Sequence, residues 1–230
     1  GKVKSLQSSE EEVEQEDRRK SRELASRYFE LSLRYALIGS HPLVLIFMGR
    51  VSSGKSTLAE YLAHRLGINR YSSDRIRKSI AGLPLDERTP PSQRDQLYSA
   101  SMSEKTYQAL YEQAEKQLRI GNSVILDATF SSAGGRRKLV EESESAGADY
   151  LFIEAHAPDE TIRSRLAERK NKDDVVSDAR LEDFDTLDER YEPPEEIDAD
   201  HLLRVNTDRP IPETIKSLYK LLIDRSMDVD

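Results

Sequence analysis

One segment constrains the fold of this chain more than any other: GRVSSGKST, residues Gly49 to Thr57. It has the form G-x-x-x-x-G-K-S, it follows the apolar run Leu43 to Met48, and it opens the helical pattern of residues 58–66. Glycine adopts backbone angles that other residues rarely adopt, so Gly49 and Gly54 allow successive N–H groups to turn inward. The following helix adds its positive N-terminal end. The segment therefore predicts an anion-binding loop between a strand and a helix.

The side chains of this loop suit a nucleotide's phosphates together with a metal ion. Lys55 would reach the β and γ phosphates, and Ser56 would place its hydroxyl on Mg²⁺. Thr57 would lie near the α phosphate, and Ser52 and Ser53 complete the nucleotide-binding set with the two glycines. The alternative is a glycine-containing turn with an exposed lysine. The loop by itself does not separate a kinase from a GTPase or a motor ATPase, because all three use it.

Short apolar runs alternate with helical patterns along most of the chain after Pro42. The predicted strands are Leu43 to Met48, Ile68 to Tyr71, Val124 to Leu126, Tyr150 to Ala155 and Leu202 to Val205. Helical spacing covers residues 58–66 and 107–118 between them. This alternation is typical of an α/β fold, and we expect a doubly wound, five-stranded parallel sheet with flanking helices. In such a sheet ligands bind beyond the carboxyl ends of the strands.

Composition excludes several kinds of function. The longest apolar run is far too short to cross a bilayer and the first residues lack the apolar core of a signal peptide, so a cytoplasmic location is expected. Without cysteine there is no thiolate catalysis or disulfide, and the four histidines have no metal-ligand spacing. The net charge of −8 argues against a protein that coats long nucleic acid, since that affinity depends on clustered Lys and Arg.

Residues 1–40 form a separate segment in the sequence pattern. Its first half is crowded with Glu, Arg and Lys, and the stretch from Leu24 to Ile38 becomes amphipathic before Gly39 and Pro42 end it. We therefore divide the chain into an N-terminal helical segment, residues 1–40, and a main domain, residues 41–230. Two interpretations of the segment stay open: it docks on the main domain, or it is the end of a domain that precedes it.

A carboxylate and a cation follow the second predicted strand. Asp74 comes directly after this strand and Arg77 stands three residues later, so both would lie on one face of a helix. At the ligand-binding edge of the sheet, Asp74 suits a general base for an acceptor hydroxyl, and Arg77 a cation that neutralises phosphate. The alternative is that Asp74 caps the helix and Arg77 is a surface charge.

The third predicted strand delivers another aspartate to the same edge. Asp127 would hold Mg²⁺ with Ser56, or orient the acceptor, and Thr129 follows it. Arg136 and Arg137, a little further on, would reach the acceptor or the phosphate. The alternative for Asp127 is a buried strand-end carboxylate that satisfies backbone groups.

A helix with repeated arginines runs into the charged stretch Lys170 to Asp178. Such a helix and loop would close over the nucleotide as a lid and supply cations to the transferred phosphoryl group. The competing account is a solvated helix face.

From Pro42 to Leu222 the chain resembles the P-loop kinases that include gluconate kinase, zeta toxin and the kinase domain of phage polynucleotide kinase. The segment Asp74 to Ile80 is similar to their D-x-x-R-x-S-I motif. The resemblance implies a P-loop NTPase fold with a helical lid, Asp74 as general base and Arg77 as acceptor contact. It also implies Arg165 or Arg169 as the lid arginine. Asn206 would then lie near the adenine.

The chain also resembles the P-loop half of bifunctional aminoglycoside phosphotransferase/ATP-binding proteins. The segments that carry this likeness are Ser72 to Arg75, Leu97 to Ser99, Leu126 to Phe130, and Phe184 with Glu192 to Pro194. The resemblance implies an upstream domain similar to choline kinase.

These observations lead to two functional hypotheses. The first is an ATP- and Mg²⁺-dependent kinase that phosphorylates a hydroxyl of a small molecule or a polynucleotide 5′-OH end. The alternative is a nucleotide-binding regulatory ATPase, a sensor module of a larger phosphotransferase protein. The alternative needs the phosphate loop but not Asp74. The sequence does not identify the acceptor.

Overall fold

The structure is a computed structural model that describes residues 2–9, 14–38, 41–85, 87–169 and 179–227. The charged stretch from Lys170 to Asp178, interpreted above as part of a lid, lies outside the described residues.

Five parallel strands form one sheet in the order β2-β3-β1-β4-β5. The strands are β1 (Leu43–Met48), β2 (Asn69–Ser72), β3 (Val124–Asp127), β4 (Asp149–His156) and β5 (Leu202–Asn206). The doubly wound parallel sheet and its five predicted strands are confirmed. The bounds differ by one residue in β2 to β5. β2 is shifted by one residue and pairs through Ser72, and β3 to β5 extend past their apolar residues: Asp127 pairs with Phe47, and Asn206 with His156.

Helices cover both faces of the sheet. They are α1 (Lys2–Gln7), α2 (Gln15–Ile38), α3 (Lys55–Leu66), α4 (Ser73–Ile80), α5 (Pro91–Leu97), α6 (Ala100–Leu118), α7 (Ala133–Ser145), α8 (Asp159–Arg169), α9 (Phe184–Glu189) and α10 (Ile211–Met227). Short 3₁₀ turns cover Leu181–Asp183 and Ala199–His201.

The central strand β1 is buried on both sides, which explains why it is apolar at every position. Leu45 and Phe47 pack toward α2, α3 and α10. Val44 and Ile46 pack toward α6 and α7 on the opposite face. The sheet therefore separates two apolar layers, and all five strands point their carboxyl ends to one edge.

Helix α2 packs on the main domain. Leu33 belongs to the core layer of α3 and α10, the Phe29 ring contacts the Tyr219 ring edge-on at 6.0 Å, and Glu30 pairs with Arg65 at 3.2 Å. Of the two interpretations of this segment, the structure displays the docked one. The domain boundary near residue 40 and an upstream domain stay predictions.

Among the helices that the structure describes, none has the length and apolar character needed to pass through a membrane.

Candidate active site

The first position of the loop after β1 has a backbone conformation and surroundings that only glycine can adopt. Gly49 has φ +133°, and a Cβ there would lie 2.4 Å from the carbonyl oxygen of Ala155 at the end of β4. Its N–H donates to the carbonyl of Thr129, at 3.3 Å. The loop is therefore fastened between the ends of β3 and β4, the two neighbours of β1.

The same loop holds polar groups without partners of their own. Ser52 has φ +56°, and the buried Oγ atoms of Ser52 and Ser53 accept and donate no hydrogen bond within the part of the chain that is described. Helix α3 begins after Gly54, which has φ +94° and offers no capping side chain, so the first-turn N–H groups of α3, including those of Lys55 and Ser56, have no intrahelical partner. Unpartnered buried donors around a concave loop are what a bound phosphate chain satisfies.

Two residues outside the loop brace it. The Thr207 hydroxyl donates to the carbonyl of Ser53 at 2.6 Å, and Thr207 also lies 3.4 Å from the position of a Cβ on Gly54. The Arg165 guanidinium, from α8, donates to the Thr207 carbonyl at 2.6 Å and to the Ser52 carbonyl at 3.4 Å. Helix α8 and the segment after β5 thus meet at the phosphate loop.

Lys55 lies among the charged residues that the sequence picked out. Desolvation of its ammonium lowers the pKa of Lys55, the negative charges of Asp127 and Asp74 oppose this shift, and the positive charge of Arg169 adds to it. These influences come from β3, α4 and α8 respectively. The fold therefore gathers predicted nucleotide, acceptor and lid residues around one lysine.

Asp127 is buried at the end of β3 with a defined partner for each oxygen. Its Oδ1 accepts from the Ser56 hydroxyl at 3.0 Å, and its Oδ2 accepts from Arg70 at 2.9 Å. Burial raises the pKa of Asp127, and the positive charges of Lys55 and Arg70 oppose that shift. A hydroxyl beside a carboxylate is a donor set of hard oxygens, which fits Mg²⁺.

No cluster of three or more His, Asp or Glu side chains able to hold a metal ion occurs in the described ranges.

Asp74 lies in the first turn of α4, and the helix cap is Ser72 rather than Asp74. The capping alternative for Asp74 is therefore not the arrangement found. Burial lowers the pKa values of Lys55 and Arg169, and the negative charge of Asp74 opposes each of these shifts.

Arg77 has a different environment from the one expected. It is only 7% exposed, donates to the Leu97 carbonyl at 3.1 Å and to the Ser103 hydroxyl at 3.2 Å, and lies over the Tyr98 ring. It braces α4 against α5 and α6. Direct contact with an acceptor stays a prediction that this arrangement does not support.

The expected acceptor role of Arg136 meets the same difficulty. Arg136 is fully buried, and its guanidinium binds both carboxylate oxygens of Glu196 and the carbonyls of Phe130, Glu192 and Pro193. It has no surface to offer a ligand in this structure. Thr129, by contrast, lies beside the phosphate loop and contributes its carbonyl to Gly49.

The two candidate lid arginines differ in how their side chains are used. The Arg165 guanidinium is held by Thr207 and Ser52, as described above. Burial lowers the pKa of Arg169, while the charge of Asp74 opposes that shift. Both arginines stay candidates for the lid arginine. The side chain of Asn206, at the end of β5, accepts from the N–H of Asp208 at 2.8 Å.

Sequence reasoning missed two arginines near the loop. Arg70 of β2 binds Asp127, and Arg50 pairs with Asp159 and Asp188 while it lies over the Phe184 ring, 5.2 Å from the centroid. Arg50 occupies a variable position of the motif. One sequence feature could have indicated the role of Arg70: an arginine inside a short strand next to the phosphate loop needs an acidic partner.

Several solved structures have a similar fold. A gluconokinase from Sinorhizobium meliloti 1021 is 18% identical with a TM-score of 0.57, over 83% of this chain and 95% of the other. Kti12 of Chaetomium thermophilum, solved with ADP-AlF3, is 24% identical with a TM-score of 0.58, over 80% and 98%. The APS kinase CysC of Mycobacterium tuberculosis, solved with AMPPNP and APS, is 21% identical with a TM-score of 0.55, over 80% and 98%. At such identities the likeness shows a shared fold.

A comparison with curated proteins gives no match. A family model described as an AAA domain matches residues 44–194, which include the phosphate loop, Asp74 and Asp127. This match covers more than half of the 230 residues. With the phosphate loop and the strand order in agreement, the chain belongs to this AAA-domain family.

Proposed function

We propose that the protein is an ATP- and Mg²⁺-dependent kinase that transfers the γ-phosphate to a hydroxyl of a small molecule or of a polynucleotide 5′ end. One observation carries the proposal. The Ser56 hydroxyl of the phosphate loop lies 3.0 Å from Oδ1 of the buried Asp127, and Asp74 lies in the first turn of α4 at the same edge of the sheet, where its negative charge favours the charged forms of Lys55 and Arg169.

The proposed mechanism depends on position and charge more than on covalent chemistry. Lys55 and Arg169 would neutralise charge on the transferred group, and Asp74 would accept the proton of the attacking hydroxyl. Ser56 and Asp127 would hold Mg²⁺, which supplies positive charge beside the phosphates. The unpartnered first-turn N–H groups of α3 would orient the phosphate chain.

A pocket beside this site supports the small-molecule form of the proposal. It lies between α6 and α7, has a volume of about 250 Å³, and is walled by Tyr107, Tyr111 and Phe130 with Glu104 and Lys138 at its rim. Phe130 follows Asp127 by three residues and its N–H donates to the Tyr107 hydroxyl at 3.3 Å, so the pocket adjoins the loop after β3. The volume lies just under the usual range of roughly 300–1,000 Å³ for drug-sized ligands, which favours a compact polar acceptor.

The test is phosphorylation by labelled ATP of sugars, aminoglycosides, nucleosides and 5′-hydroxyl oligonucleotides. With the acceptor found, Asp74→Asn should bind Mg-ATP as the wild type does and transfer phosphate about 10²- to 10⁴-fold more slowly. Lys55→Ala should lose the stabilisation that Mg-ATP confers on the wild type, because bound ligand stabilises the native state. A wild-type transfer rate in Asp74→Asn would remove Asp74 from the mechanism.

The second candidate function is a nucleotide-binding sensor. It is favoured by the use of Arg77 and Arg136 as internal braces, which removes two of the expected cations from the acceptor side. A protein that binds and hydrolyses ATP, phosphorylates no compound of the screen and is indifferent to Asp74→Asn would support this function over the first.

A further inference from the structure

Arg70 is a charged residue that the proposed mechanism does not use, although it touches both halves of the candidate magnesium site. One guanidinium nitrogen lies 2.9 Å from Oδ2 of Asp127 and 3.5 Å from the backbone carbonyl of Ser56. Among the described residues, its one other acidic contact is Glu60, at 3.9 Å and with an exposed side chain. The dominant partner of Arg70 within the described residues is therefore Asp127.

The sheet explains how Arg70 reaches this carboxylate. Ser72 of β2 pairs with Asp127 of β3, and Arg70 precedes Ser72 by two residues on the same face of the strand. Two residues of strand span about 6.6 Å, so the side chain must run along the sheet toward its carboxyl edge. Arginine has the length for this, and its planar fork holds a carboxylate in a defined orientation.

The two carboxylate oxygens of Asp127 contact different partners. Oδ2 faces Arg70, whereas Oδ1 faces the Ser56 hydroxyl at 3.0 Å. The Asp127 side chain is 1% exposed, so water does not compete freely for either oxygen. If Oδ2 lost its partner, the carboxylate would be free to rotate, and the oxygen beside Ser56 would no longer be the same one at all times.

We propose that Arg70 is a positioning residue of the magnesium site: it holds Oδ2 of Asp127 and thereby keeps Oδ1 turned toward Ser56. The inference rests on the proposed function, since it assigns a role toward the ion that Ser56 and Asp127 would hold. Hydrogen-bond partners behind a metal ligand typically change metal affinity by about 10- to 100-fold when they are removed.

The test measures ATP binding by calorimetry over a series of Mg²⁺ concentrations, with EDTA as the metal-free condition. In Arg70→Gln the Mg²⁺ concentration that gives half of the metal-dependent gain in ATP affinity should rise about 10- to 100-fold. ATP affinity in EDTA should stay near the wild-type value. Arg70→Lys should recover part of the effect, because lysine restores the charge but not the planar fork. The matched control is Arg119→Gln, which removes an exposed arginine that pairs with Glu115 on α6.

A second pair of variants separates positioning from folding. Arg70→Gln leaves Asp127 buried without its cation, so its melting temperature without nucleotide is measured first. In an Asp127→Asn background the further change Arg70→Gln should leave the Mg²⁺ dependence as it is, because the carboxylate through which Arg70 acts is gone. An additional loss in that background, or an unchanged Mg²⁺ dependence in Arg70→Gln alone, overturns the inference while the proposed function stands. A wild-type protein without Mg²⁺-dependent ATP binding overturns the proposed function itself.

Discussion

Arg136 demonstrates how the environment of a single residue decides its role. Its five N–H donors meet Glu196 and three backbone carbonyls, so the buried guanidinium is fully partnered. The carbonyls come from the end of β3 and from the segment of residues 192–193. Arg136 therefore fastens the 192–196 segment against the start of α7. Removal of one partner of such a buried pair costs more than the pair contributes, because a charge is left without compensation.

Glu196→Gln should lower the free energy of unfolding by about 1–3 kcal/mol at neutral pH. Arg136 lowers the pKa of Glu196 from its ordinary 4.5, so the folded state holds the carboxylate more strongly than the unfolded state does. The stabilisation is present above about pH 4.5 and is lost as the pH falls through the lower folded-state pKa. The stability difference between wild type and variant should thus shrink in acid.

Urea unfolding at a series of pH values measures this difference. Glu195→Gln, at the exposed neighbouring position, serves as the control and should behave as the wild type does at each pH. A Glu196→Gln effect that stays constant down to pH 3 would mean that the ion pair does not form in solution.

Helix α9 contacts the phosphate loop through its first residue, Phe184. The Phe184 ring at its start is 1% exposed and lies between two guanidinium groups, Arg163 at 4.2 Å and Arg50 at 5.2 Å from the ring centroid. Arg50 also pairs with Asp159 of α8 and Asp188 of α9. Arg50 therefore connects the phosphate loop to both α8 and α9.

Phe184→Leu should weaken ATP binding about two- to fivefold, which corresponds to roughly 0.5–1 kcal/mol for the loss of one cation–π contact on Arg50. Leucine keeps the position apolar, so the melting temperature should change less than it would with alanine. Calorimetric titration with Mg-ATP gives the affinity. Phe29→Leu, on α2 and against Tyr219, removes an aromatic ring away from the loop and should leave ATP affinity unchanged. Equal ATP affinities in the wild type, Phe184→Leu and Phe29→Leu would mean that the contact of α9 with the loop does not affect ATP binding.

At the scale of the whole molecule, α2 extends the core layer on one face of the sheet. Leu33 is 4% exposed in the same cluster as Leu62 and Leu222, whereas Tyr35, on the outer side of α2, is 72% exposed. The N-terminal segment thus contributes buried apolar surface to the nucleotide-binding domain, which links the stability of that domain to α2.

Leu33→Ala should destabilise the protein by about 2–5 kcal/mol, because it removes buried methyl groups and leaves a cavity between α2 and the main domain. Chemical denaturation provides the measurement. Tyr35→Ala is the control on the same helix and should stay within about 0.5 kcal/mol of the wild type. If the two variants lose the same small amount, α2 does not pack on the core in solution.

Local patterns in the sequence were sufficient for the phosphate loop, the strands and the parallel sheet. An apolar run buried on both faces and a glycine that must adopt a positive φ leave signals within a few residues, so β1 and Gly49 were identified without tertiary information. Asp74 and Asp127 were placed at one edge for the same reason, since parallel strands end together.

The tertiary structure alone decided what each arginine does. All arginines carry the same charge, and for those at the site the partner comes from an element far away in the chain: Arg136 binds Glu196 and Arg50 binds Asp159. Arg70 meets Asp127 because β3 inserts between β2 and β1, a strand order that no local pattern contains. The sequence by itself therefore determined which charged residues lie at the ligand-binding edge. The packing of strands and helices determined which of those side chains can still contact a ligand, because a buried cation must pair with the acceptors nearest to it.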